Sequence, residues 1–372
     1  MPLPEKALIA QIRRMAQSTG RPGASNVPAG IGDDCAVLRF APGQDSLVTT
    51  DFSLEGIHFR RDWHPPESVG HRCLTRGLSD IAAMGGEPVA AFLSLALPRI
   101  LPQTWVSRFL RGLATLAQKH GVTLAGGDTA ESPDGVLADI VVVGIVPKGK
   151  AILRSGARPG DRIYVSGALG ASAAAVLQFQ SLRHPESPRF RPRAEGSRVE
   201  RIRPMGNETL VAPPLPRSVR QGGDFDVLRS GNKPTPRFYP RHFYPEPRLD
   251  LGRILREKHL VTAMIDTSDG LSTDLAHICE ESKVGAEISA DLIPRARVGK
   301  AAREVPLDLA LHGGEDYELL FTAPPKKRIR SQIAGVPLTC IGVITRSSLP
   351  AIFLRDAEGV SHLVARGWEH FR

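Results

Sequence analysis

The sequence predicts a layered α/β or α+β protein of roughly two units. Three observations carry this. The chain has 372 residues, roughly two domains at about 150 residues each. Hydrophobic residues make up 41% and charged residues 23%, a globular balance. Hydrophobic spacing also alternates between the helical and the strand period along the chain, which indicates layered helices and sheets. With 36 glycines, 31 prolines and only 5% aromatics, a loop-rich enzyme is favoured over a helical bundle.

In chain order, residues 5–17 have the spacing of an amphipathic helix, charged throughout and unlike a signal peptide. Residues 34–40 and 46–50 read as strands, the first opening from a Gly32-Asp33-Asp34 turn. Residues 66–84 read as a helix stopped by Gly85-Gly86. A strand over 89–97, a helix over 102–120 and a strand over 122–125 follow, the last ending in Gly126-Gly127-Asp128. Residues 136–146 form another strand, the longest apolar run, and it is too short to span a membrane. The first unit therefore covers 1–150 and the second 151–372.

The second unit begins with a strand over 162–166 and an Ala-rich helix. Residues 181–240 then break the pattern. They hold eleven Arg and one Lys against six acids, and ten of the prolines. With no period of 3.6 or 2, this stretch reads as a disordered insertion. Its net +6 accounts for most of the chain's +9, and no aromatic-interleaved basic stripe continues outside it, which argues against nucleic-acid binding. After it come a helix over 249–258, a strand over 262–265, a helix over 271–282, and strands near 317–321, 339–344 and 351–354.

Cys35, Cys73, Cys279 and Cys340 stand far apart without a CxxC pair, which fits reduced thiols in the cytoplasm. Residues 144–151 approach a phosphate-binding P-loop, but Ala151 lacks the hydroxyl that would reach Mg²⁺ and no helix follows. No dinucleotide fingerprint or nucleophile elbow is present.

The aspartates carry the chemistry. Asp33 and Asp34 sit at a Gly turn, Asp51 follows Thr49-Thr50 at a strand end, and Asp80 lies late in a helix. Asp128 follows two glycines, Asp266 and Asp269 flank Ser268, and Glu315 and Asp316 again follow two glycines. One such acid is usually a turn or cap residue. Five such sites point instead to hard oxygen ligands converging on one rim, a donor set suited to Mg²⁺ and phosphates.

Seven motifs occur in order: Gly30-Ile31-Gly32-Asp33-Asp34; Thr49-Thr50-Asp51 with His58; Leu78-Ser79-Asp80-Ile81; Gly126-Gly127-Asp128-Thr129; Arg154-Ser155-Gly156-Ala157; Asp266-Thr267-Ser268-Asp269-Gly270-Leu271; and Gly313-Gly314-Glu315-Asp316-Tyr317-Glu318-Leu319. Together they resemble the thiamine-monophosphate kinases of the aminoimidazole ribonucleotide synthetase-like superfamily, over nearly the whole chain except the insertion. The resemblance implies an α/β fold, with an N-terminal α+β domain that pairs in a homodimer and a C-terminal α/β domain, and ATP-dependent phosphorylation of thiamine monophosphate with several Mg²⁺ ions. It implies metal positions at Asp34, Thr49, Thr50, Asp51, Asp80, Asp128, Asp266 and Asp269. Gly127, Asp128, Arg154 and Ser268 would contact ATP, and His58, Glu315 and Trp368 the substrate. No general base is implied. The alternatives are a sister synthase that cyclises a formylglycinamidine substrate, and an RNA-binding protein supported only by the basic insertion.

Overall fold

The structure, a computed structural model, describes residues 1–19, 26–31, 35–183, 234–347 and 350–367. Asp34, Trp368 and most of the Pro/Arg-rich stretch lie outside the described residues.

The first half consists of helix α1 (Glu5–Ala16), strand β1 (Gln44–Leu54), α2 (Pro66–Ala83), β2 (Glu87–Pro98), α3 (Gln103–His120), β3 (Thr123–Ser132) and β4 (Leu137–Pro147). Its sheet has the order β1-β4-β2-β3, antiparallel except for the β2–β3 pair. A Cβ on Gly70 would lie 2.0 Å from the Phe109 carbonyl oxygen, and one on Gly112 would lie 1.9 Å from that of Glu67. These two glycines let α2 and α3 approach backbone to backbone. Burial of Leu74, Leu78, Ile81, Phe109, Leu113 and Ile140 then holds the helices on one face of the sheet.

The second half follows with β5 (Arg162–Ser166), α4 (Ala171–Arg183), α5 (Pro240–Phe243), α6 (Leu249–Glu257), β6 (Ala263–Asp266) and α7 (Leu271–Ser282). Next come β7 (Gly285–Ser289), the short pair β8 (Arg297–Val298) and β9 (Arg303–Glu304), α8 (Leu307–His312) and β10 (Leu319–Ala323). The last elements are β11 (Gln332–Ile333), β12 (Val336–Thr345), β13 (Ile352–Asp356) and β14 (Gly359–His362). The main sheet runs β14-β13-β7-β12-β5-β10-β6. Helix α2 is buried along most of its length and touches elements of both halves, including α6 and β6.

Several expectations are corrected. Residues 35–40 form no strand, only a bridge from Val37 to Ala29. Asp51 and Asp128 lie inside β1 and β3 rather than beyond strand ends. Tyr317 precedes β10 instead of opening it. Strand β7 and helix α8 were hidden, because a five-residue strand and a six-residue helix hold too few residues to show a period. The basic stretch was drawn too wide. Residues 181–183 end α4, Tyr239 is buried against Gln178, and Pro240 opens α5. Two aromatic residues near its end, Phe238 and Tyr239, pack with Phe243 just beyond it and supply the burial that its average composition concealed.

Candidate active site

The site forms where β1, α2 and the turn after β6 meet. Alternation along β1 turns Thr49 and Asp51 to one face of the sheet and Thr50 to the other. One helical turn separates Arg72, Arg76 and Asp80 along a single stripe of α2. Strand β6 ends at Asp266, and a tight turn carries Thr267, Ser268 and Asp269 to Gly270, the N-terminal cap position of α7.

Hydroxyls fix the carboxylates. Thr49 donates to Asp80, and Ser79 donates to Asp266 at 2.7 Å. The acids also act on one another. Burial, followed by the charge of Asp80, pushes the Asp51 carboxyl up to about 7; Arg76 opposes this, while Asp139 and Asp269 add to it. Burial also raises Asp80, against Thr49, Arg154 and Arg76. Asp266 is raised by burial and by Asp80 and Asp51, with Ser79 and Arg154 opposing. Asp51, Asp80, Asp266, Asp269 and Arg154 therefore share one electrostatic neighbourhood.

These residues fit a divalent cation. The donors are hard oxygens, and the strain among them is mutual repulsion and burial, which a cation relieves. Among the described residues no three His, Cys, Asp or Glu side chains close around a single point. Hard oxygen donors are the type Mg²⁺ takes, with waters and phosphate oxygens as its other ligands.

Two expected positions are not brought into this cluster. The Thr50 side chain is exposed on the opposite face and donates to Asp139 at 2.8 Å. Asp128 lies on β3, at the opposite sheet edge from β1, about 14 Å away at three strand spacings. There its Oδ1 accepts the Thr129 N–H at 2.8 Å. Gly127 permits this strand to exist: its φ is 140°, and a Cβ would stand 1.8 Å from the Leu93 carbonyl oxygen.

Glu315, expected at the substrate, is buried between two arginines of α2, with Arg72 Nη2 and Arg76 Nη2 each 2.6 Å from a carboxylate oxygen. Burial alone would raise its carboxyl, but Arg72, Arg76 and His58 hold it down at about 2. His58 Nδ1 accepts the Leu54 N–H at 3.0 Å. Ser268 accepts the Glu315 N–H at 2.7 Å, so the two motif turns are joined through backbone. Gly367, the residue before Trp368, lies against the Asp269 backbone and donates its N–H to Thr273.

Sequence reasoning missed Arg72, Arg76 and Ser79. Ser79 stood inside a quoted motif but reads as an ordinary helix serine. The arginines carried one signal, their i, i+4, i+8 spacing with Asp80 on an otherwise buried helix.

Two family models cover most of this architecture: "AIR synthase related protein, N-terminal domain" over residues 32–146 and "AIR synthase related protein, C-terminal domain" over 239–354. The thiamine-monophosphate kinase of Escherichia coli strain K12 is 36% identical over 352 residues, covering 93% of each chain. The chain belongs to the thiamine-monophosphate kinase family. Within that family, a crystal structure from Stenotrophomonas maltophilia K279a matches with TM-score 0.68 and 31% identity, over 93% of this chain and 95% of that one. A structure described as AaThiL complexed with AMPPCP and TMP matches with TM-score 0.65 and 27% identity, over 92% of each chain. In this thiamine-monophosphate kinase family member, the order of the seven motifs and the fold agree.

Proposed function

We propose that the chain transfers the γ-phosphoryl group of ATP to the phosphate of thiamine monophosphate, giving thiamine diphosphate and ADP. The observation that carries this reading is the set of mutually raised carboxylates at Asp51, Asp80 and Asp266, beside a separate acceptor-side acid at Glu315.

An oxygen of the acceptor phosphate attacks the γ-phosphorus and the bond to the β,γ-bridging oxygen breaks. The second pKa of a phosphate monoester is near ~6, so the nucleophile is largely dianionic at neutral pH and needs no general base. The demand is therefore to bring two polyanions together in line. Thr49 and Ser79 hold Asp80 and Asp266 in fixed orientation, and Asp51, Asp269 and Asp34 complete the proposed metal-binding set. Mg²⁺ ions, when bound there, supply charge neutralisation and alignment. Arg154 offers a cation beside the acids, and Ser268, Gly127 and Asp128 are assigned to the nucleotide on the motif resemblance. Glu315, His58 and Trp368 are assigned to the acceptor, whose cationic ring is complementary to a carboxylate and an aromatic face.

The domain boundary near residue 150 and a cytoplasmic location belong to the same reading. Among the described residues, no helix is long and apolar enough to cross a membrane. A homodimer through the first sheet is also part of it. Among the described residues helices pack on one face of that sheet, and on the other Val48 and Phe52 are 67% and 54% exposed.

The deciding experiment measures ADP and thiamine diphosphate formation with ATP, Mg²⁺ and thiamine monophosphate, with free thiamine as control. Turnover on the phosphate ester alone supports the reading; absence of thiamine diphosphate overturns it.

A further inference from the structure

Residues 315–318 bury four consecutive polar side chains. Three are tied to separate elements. Glu315 pairs with Arg72 and Arg76 on α2. Asp316 accepts the backbone N–H groups of Gly170, at 2.6 Å, and Ser172, at 3.4 Å, at the start of α4. Glu318 accepts from Arg248 and from the Ser166 hydroxyl.

Tyr317 is the exception. It is 2% exposed, and no protein group among the described residues hydrogen-bonds its buried hydroxyl. Its backbone lies at φ 52°, with Glu315 at φ 64°, a left-handed region that an aromatic residue rarely enters. The conformation is imposed by two ties to the neighbouring motif turn: Glu315 N–H to Ser268 O at 2.7 Å and Tyr317 N–H to Thr267 O at 2.9 Å. A buried unpaired hydroxyl and a left-handed aromatic both cost stability. Phenylalanine would remove the first cost and fill the same volume. The charged groups acting on the Tyr317 hydroxyl are Arg76, Glu315, Arg72 and Asp51, all of the site.

We infer that Tyr317 is a positioning residue for phosphoryl transfer, its hydroxyl holding Arg76 when the acceptor engages Glu315. Arg76 is paired with Glu315 at 2.6 Å, lies one turn before Asp80 on α2, and its charge acts on Asp51. When a cationic acceptor draws on the Glu315 carboxylate, the Arg76 guanidinium loses part of its partner. The phenolic oxygen then accepts a guanidinium N–H and keeps that charge beside Asp51. The inference rests on the assignment of Glu315 to the acceptor side.

The test compares wild type, Tyr317→Phe, Glu315→Gln and the double variant, all in the full chain, by steady-state kinetics and thermal melting. In Tyr317→Phe, kcat/KM for thiamine monophosphate is expected to fall about tenfold, KM for ATP to stay within about twofold, and Tm to hold or rise. The double variant is expected to lose little beyond Glu315→Gln, because both residues act on one guanidinium. Wild-type kinetics in Tyr317→Phe overturns the inference. So does a fall in Tm with parallel losses toward both substrates, which marks a hydroxyl that only supports the fold. A neutral Glu315→Gln beside an impaired Tyr317→Phe overturns both the acceptor assignment and the relay. An impaired Glu315→Gln beside a neutral Tyr317→Phe overturns the relay alone.

Discussion

Ser79 on α2 donates its hydroxyl to Asp266 at the end of β6, at 2.7 Å and with both side chains buried. The bond joins a helix of the first half to a strand of the second, where a carboxylate already strained by its neighbours needs a donor. Ser79→Ala is expected to destabilise the protein by about 1–3 kcal/mol, the cost of a lost buried bond to an acid. It is also expected to raise the Mg²⁺ concentration needed for half-maximal turnover. Denaturant unfolding and a Mg²⁺ titration of activity check the two parts separately.

Asp51→Asn separates function from stability. In the metal-free protein Asp51 is raised to about 7 by burial and by Asp80, so its stabilising contribution is complete below pH 3.8 and is lost as pH rises through 7. The neutral amide removes that repulsion. Without Mg²⁺ the variant should melt at or above the wild-type temperature at pH 8, while its turnover falls by orders of magnitude. Undiminished turnover at saturating Mg²⁺ would remove Asp51 from the site.

The His64–His242 pair predicts a pH effect. Their Nε2 atoms are 3.0 Å apart, and Ser172 Oγ lies 2.9 Å from His242 Nδ1. Burial, then Arg72, lowers His64 to about 3, and His242 also lies well below its usual value. Folded pKa values below the unfolded 6.5 mean that stability is present above pH 6.5 and is lost as pH falls toward 3. Each histidine contributes a slope of about 1.4 kcal/mol per pH unit. Raised acids such as Asp51 and Asp316 slope the opposite way, so the informative quantity is the difference between wild type and His64→Gln. That difference should shrink as pH drops from 7 to 5; a constant difference would contradict the assignment.

The basic stretch gives a prediction about boundaries. Replacing residues 186–232 with a short Gly/Ser linker is expected to leave Tm and turnover nearly unchanged, since loop closure costs only about 0.6 kcal/mol per doubling of length. A cut extended through Tyr239 and Pro240 is expected to destabilise the protein, because it removes the Tyr239 ring from the cluster around Trp63, Phe179 and Phe243. Thermal melts of the two deletions compare the cases; equal melting would return the boundary to residue 240.

The sequence alone determined the alternation of helices and strands and the extents of β5 and α7. It also determined which acids stand at the motif turns. These are local properties: a period of 2 or 3.6, a glycine stop and a motif are each readable within a dozen residues. Tertiary structure decided which face of β1 reaches α2, and so kept Thr49 and Asp51 in the site while turning Thr50 toward Asp139. It also clamped Glu315 between Arg72 and Arg76, more than two hundred residues apart in sequence. Such pairings depend on the desolvation of particular charges by particular neighbours. A buried arginine on α2 has no local signature that names Glu315 as its partner; only the packing of α2 against the second half brings the two together.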